Sequence, residues 1–119
     1  MKNILLCFLS FLIISGCQKK NDPRPTTLYL SGSVTNKQTS TPIDSVEIAL
    51  ERSYWFSGYI LETIFFSDGN GKFNIQFNPQ ENKSYDLDFS KRGYATPPFP
   101  TSIDLDKEYQ NFNITLDTL

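Results

Sequence analysis

Ser67-Asp68-Gly69-Asn70-Gly71-Lys72-Phe73 lies between two hydrophobic segments and contains both Asp-Gly and Asn-Gly. Two-residue β-turns need positive φ, which glycine adopts freely and Asn or Asp more readily than most residues. On the near side run Ile60-Leu61-Glu62-Thr63-Ile64-Phe65-Phe66; on the far side Phe73, Ile75 and Phe77 alternate with Lys72, Asn74 and Gln76. The pattern predicts a β-hairpin with one apolar face at the centre of the chain.

Working outward, the same period of two recurs. Leu28, Leu30, Gly32 and Val34 share one parity while Tyr29, Ser31, Ser33 and Thr35 hold the other; Asn36 to Pro42 reads as a loop. Val46, Ile48 and Leu50 alternate with Glu47, Ala49 and Glu51, and Tyr85, Leu87 and Phe89 with Ser84, Asp86 and Asp88. Ile103 and Leu105 form a short sixth segment, and Phe112, Ile114 and Leu116 alternate with Asn111, Asn113 and Thr115. Seven short strands separated by turn signals, with no helical period, predict an all-β protein. The expected fold is a seven-stranded antiparallel β-sandwich spanning residues 27–119.

The 119 residues, 14% of them aromatic and 20% charged, suit one small globular unit. A formal charge of −2 and the lack of a basic cluster in the strand region exclude nucleic acid as the expected partner, because phosphate binding requires concentrated positive charge. Histidine is absent, which removes the commonest general base and metal ligand. No cofactor is expected.

The first residues form a separate unit. Met1-Lys2-Asn3 is a short positive start, and Ile4 to Ile14 is an apolar run broken only by Ser10. That run is about half of the ~20 residues a membrane-crossing helix needs, so residues 1–16 read as a signal peptide. Ile14-Ser15-Gly16-Cys17 resembles the lipobox of bacterial lipoproteins. The resemblance implies cleavage before Cys17 and lipidation of its sulfur and amine, leaving one cysteine and no internal disulfide. Several acyl chains, at ~0.8 kcal/mol per buried CH₂, would anchor the protein to a membrane effectively for good. Residues 17–26, polar and with two prolines in three positions, read as an extended tether. Gln18, where Asp is the usual inner-membrane retention signal, favours the outer membrane. The tether resembles the export signal of Bacteroidetes surface lipoproteins, though Lys19-Lys20 with a single acid departs from it. The periplasmic face and the cell surface both stay open.

The strand pattern also resembles the carboxypeptidase regulatory-like domain, whose fold is a transthyretin-like, Greek-key sandwich. Leu30-Ser31-Gly32-Ser33-Val34-Thr35-Asn36 with Pro42-Ile43, then Val46 to Leu50, then Ser67 to Phe73, then Tyr85 to Phe89 with Gly93-Tyr94 carry the likeness, in order, over most of residues 27–117. It implies a non-catalytic appendage, so no enzyme is expected and no catalytic residue is assigned.

One departure from that layout is an aromatic insertion, Tyr54-Trp55-Phe56-Ser57-Gly58-Tyr59, between the second and third strands. Tyr54, Trp55, Phe56 and Tyr59 are the candidate binding residues, since Tyr and Trp offer large apolar faces with a polar handle. The plainer reading has Trp55 and one neighbour cap the end of the core while the loop is otherwise inert. Asp68 and Asn70 are accounted for by turn chemistry rather than calcium, and no metal site is expected. Asp86 and Asp88, like Asp104 and Asp106, read as a solvated acidic face. Asp44-Ser45-Val46 and Asp117-Thr118-Leu119 each resemble a three-residue O-glycosylation signal. The expectation is an envelope lipoprotein that binds or assembles with an envelope protein or a glycan. A carbohydrate-binding accessory protein using the aromatic insertion is the first alternative and a small hydrolase the second.

Overall fold

In a computed structural model, residues 24–54 and 58–119 are described. They contain seven strands and no helix: β1 (Leu28–Asn36), β2 (Glu47–Tyr54), β3 (Gly58–Phe66), β4 (Lys72–Phe77), β5 (Ser84–Ser90), β6 (Thr101–Ser102) and β7 (Tyr109–Leu116). They form two sheets, a three-stranded one ordered β4-β1-β7 and a four-stranded one ordered β3-β2-β5-β6.

The apolar parities meet between the sheets. Leu28, Leu30, Val34, Phe73, Ile75 and Leu116 face Ile48, Leu50, Tyr85, Leu87 and Phe89 across a closed core. Full burial of each aliphatic or aromatic side chain contributes ~1.5–3 kcal/mol. Two tilted aromatic pairs join the layers, Phe73 with Phe89 at 5.7 Å and Phe77 with Tyr85 at 5.1 Å between ring centroids. On the inner side of β1, Gly32 leaves the space that the Phe73 ring occupies, and a Cβ there would sit 2.5 Å from its Cζ.

Three expectations are corrected. The stretch from Ser67 to Phe73 is not a hairpin loop, because β3 and β4 lie in different sheets and do not pair. It is an inter-sheet corner held by its own side chains. Asp68 Oδ1 accepts from the amides of Asn70 and Lys72, both at 2.9 Å. The Ser67 hydroxyl, buried, accepts from Val46 N and donates to Ile43 O, both at 2.8 Å. The turn chemistry is present, but the strands it joins find better partners: β3 pairs with β2 and β4 with β1. The connection within one sheet is β2 to β3, whose last described rung joins Tyr54 to Gly58.

Second, the sandwich is not wholly antiparallel. β1 and β7 run parallel, in a register that pairs Tyr29 with Tyr109, Ser31 with Asn111 and Ser33 with Asn113. Third, the sixth strand is Thr101–Ser102 rather than Ile103 with Leu105; Ile103 is buried just beyond it, its amide donating to Tyr85 O at 3.1 Å.

Candidate functional site

β3 forms one edge of the four-stranded sheet, and its side chains are mostly exposed on both faces. The cause lies in its register with β2. Leu50 pairs with Thr63 but Glu51 with Leu61, so Glu62 is an extra, bulged residue. The bulge reverses the alternation. Tyr59 and Leu61 before it, and Ile64 and Phe66 after it, all share the outer face with Ser53, Glu51, Ala49 and Glu47 of β2. These four side chains are 55%, 53%, 39% and 63% exposed, an apolar row along the rim of the sheet.

Glu62 itself pairs with Arg52, whose Nε lies 2.9 Å from Glu62 Oε1 and whose Nη1 donates to Gln80 Oε1 at 2.7 Å. A bulge with a charge at mid-strand blunts continuous strand addition at this edge, so β3 presents its side-chain face more readily than its backbone.

Beside the row lies an acidic band. Register brings Glu51 opposite Asp86 and Ala49 opposite Asp88 on the same outer face as Glu47. Burial, followed by the charges of Asp88 and Asp86, raises the Glu51 carboxyl above its ordinary 4.5. Burial likewise raises Asp86 above 3.8, against the hydrogen bond from the Ser102 side chain. Asp104 and Asp106 are elsewhere, in the turn before β7: Asp104 Oδ1 accepts from Asp106 N at 2.9 Å, and Asp106 pairs with Arg24 at 2.8 Å. Among the described residues no three metal-ligating side chains gather.

The predicted binding residues divide. Tyr59 belongs to the apolar row on β3, whereas Trp55 and Phe56, the Tyr54 side chain and Cys17 lie outside the described residues. The rest of the row, Leu61, Ile64 and Phe66, shows no common face in the sequence, where strict alternation places Leu61 and Ile64 on opposite sides. The polar pair Glu62-Thr63 interrupting the apolar run was the available sign of a bulge. Of the two glycosylation-like triplets, Ser45 is exposed at the turn into β2, while Asp117-Thr118-Leu119 is tied down by Leu119 N donating to Gly93 O at 3.1 Å and Thr118 N to Gln38 Oε1 at 3.3 Å.

No family model and no curated protein matches this chain. Solved structures do. The C-terminal domain of the shaft pilin SpaA from Lactobacillus rhamnosus GG superposes with a TM-score of 0.56 at 15% identity, over 80% of this chain and 100% of that one. 3-Chlorocatechol 1,2-dioxygenase from Rhodococcus opacus 1CP gives 0.57 at 14% identity, over 83% of this chain and 62% of the enzyme. The Bacillus anthracis TIE protein gives 0.58 at 11% identity, over 79% of this chain and 18% of that protein. The chain shares a bacterial β-sandwich fold. At these identities the likeness is one of fold alone, and the same fold occurs in a pilin and within an enzyme.

Proposed function

We propose that this protein is a lipid-anchored, non-catalytic binding or assembly module of the Gram-negative envelope, a carboxypeptidase regulatory-like sandwich tethered through Cys17. The observation that carries the binding role is the outer face of β3, where Tyr59, Leu61, Ile64 and Phe66 stay exposed beside Glu47, Glu51, Asp86 and Asp88. Contiguous exposed apolar side chains with a charged rim are characteristic of protein contact surfaces. The complementary partner is an envelope protein with an apolar patch flanked by Lys or Arg. The shared fold with a shaft pilin domain is compatible with assembly. Anchoring would raise the effective concentration of such a partner at the membrane and make a weak contact sufficient.

Two experiments test the reading. A photoreactive residue at Leu61, activated in the intact envelope, should give one dominant protein adduct that Phe66→Ser abolishes; adducts spread evenly over many proteins would defeat the docking role. Growth with an alkyne-bearing fatty acid should label the protein and Cys17→Ser should not be labelled, whereas label surviving in Cys17→Ser would remove the anchor from the proposal.

A further inference from the structure

The opposite side of the molecule carries a second surface, with different chemistry. On the outer face of the β4-β1-β7 sheet the two registers align residues in rows across three strands. One row is Gln76, Tyr29 and Tyr109; the next is Asn74, Ser31 and Asn111. With strands ~4.8 Å apart and ~3.3 Å of rise per residue, the two rows occupy a patch of about 10 by 7 Å.

The patch is organised before any ligand arrives. Tyr29 and Tyr109 stack at 5.1 Å with 14° between their planes, and Tyr109 remains 73% exposed. The Ser31 hydroxyl donates to Asn111 Oδ1 at 3.4 Å, leaving the amide's NH₂ without a side-chain partner among the described residues. The exposed amides of Asn74 and Gln76 make no side-chain hydrogen bond to another described residue. Between the rows lies a shallow depression of about 380 Å³ bounded by both tyrosines, Ser31, Asn74 and Asn111. Its size falls at the lower end of ligand clefts, ~300–1,000 Å³.

These six side chains include no charge. A nucleic acid would need cations, and a protein partner would need an apolar centre larger than one ring pair. A sugar presents a C–H face that packs on an aromatic ring and hydroxyls that both donate and accept. A carboxamide answers both, with one acceptor oxygen and two donor hydrogens. We propose that the outer face of the β4-β1-β7 sheet, where Tyr29 and Tyr109 stack beside Asn74, Ser31 and Asn111, is a binding site for a neutral oligosaccharide. The site lies on the other sheet from the β3 surface.

The test is isothermal titration of the full-length protein, in detergent, with neutral oligosaccharides prepared from starch, cellulose, xylan, galactan and mannan. At least one should bind. Tyr109→Ala should weaken it by about ten-fold or more, the loss expected for a stacking contact together with its desolvation, while Tyr109→Phe keeps most of the affinity. Asn111→Ala should weaken it by about three-fold or more, while Trp55→Ala and Phe66→Ser leave it unchanged. Tyr109, Asn111 and Phe66 are exposed, and each variant is used only if its thermal transition matches the parent. Failure of every neutral glycan to bind, unchanged affinity in both Tyr109→Ala and Asn111→Ala, or binding lost in Trp55→Ala alone would each overturn the assignment.

Discussion

Gly71 shows how a single residue holds the inter-sheet corner. Its φ is +70°, and a Cβ would lie 2.5 Å from the Val34 carbonyl oxygen, which is backbone and cannot move aside cheaply. Gly71→Ala is therefore expected to cost ~2–4 kcal/mol, combining left-handed strain with displacement of β1. Gly69, two residues earlier, has open space at its Cβ, so Gly69→Ala should change urea stability by less than ~0.5 kcal/mol. Equal losses in the two variants would show that the corner is not held as described. Glu51 provides a pH test. A carboxyl raised in the folded state binds its proton more tightly there than in the unfolded chain, so stability falls as pH rises from the unfolded value, near 4.5, through the folded one. Glu51→Gln should then stabilise by up to ~0.5 kcal/mol near neutral pH, and the gain should vanish below about pH 4. Melting curves across that range decide it; a gain that persists at low pH would belong to some cause other than ionisation.

At the scale of elements, β3 is the strand whose sequence is least informative when read alone. Other strands follow strict alternation and bury one parity, as Leu28, Leu30 and Val34 of β1 and Tyr85, Leu87 and Phe89 of β5 do. β3 is apolar on both parities, and an edge position with a bulge at Glu62 converts that into an exposed row. Because Phe66 is 63% exposed, Phe66→Ser should shift urea stability by less than ~1 kcal/mol while abolishing the Leu61 crosslink. A large loss of stability would mean that the row belongs to the core. Of the aromatic insertion Tyr54–Tyr59, Tyr54 ends β2 and Gly58 and Tyr59 open β3, with Tyr54 paired to Gly58, so half of the expected connection belongs to the strands themselves. The corner at Ser67 to Phe73 was legible as a turn but not as a sheet switch, because Asp68 and Gly71 satisfy the same local hydrogen bonds whether or not the flanking strands pair.

Across the whole molecule, closure depends on two segments at opposite ends of the described chain. β7 covers one side of β1, contributes the buried Leu116 and packs Phe112 and Ile114 on the core. Ending the chain after Glu108 removes all three and leaves β1 with an open side. The cost of ~2–5 kcal/mol for one such buried residue is already comparable with a small domain's total of ~5–15 kcal/mol. That truncation should show no cooperative thermal transition, and a sharp one would place the folding unit elsewhere. The amino-acid sequence by itself determined the segments and buried faces of β1, β2, β4, β5 and β7, though not those of β3 and β6, because side chains alternate along any extended chain whatever its partner. Only the tertiary structure decided which strands pair, and with that the two surfaces. Tyr29-Leu30-Ser31 and Tyr109-Gln110-Asn111 each read as an ordinary solvated strand face, and nothing local records their partnership. Parallel pairing across about eighty residues of chain sets Tyr beside Tyr and Ser beside Asn. Such pairing is selected by the fit of the whole core rather than by the residues it brings together.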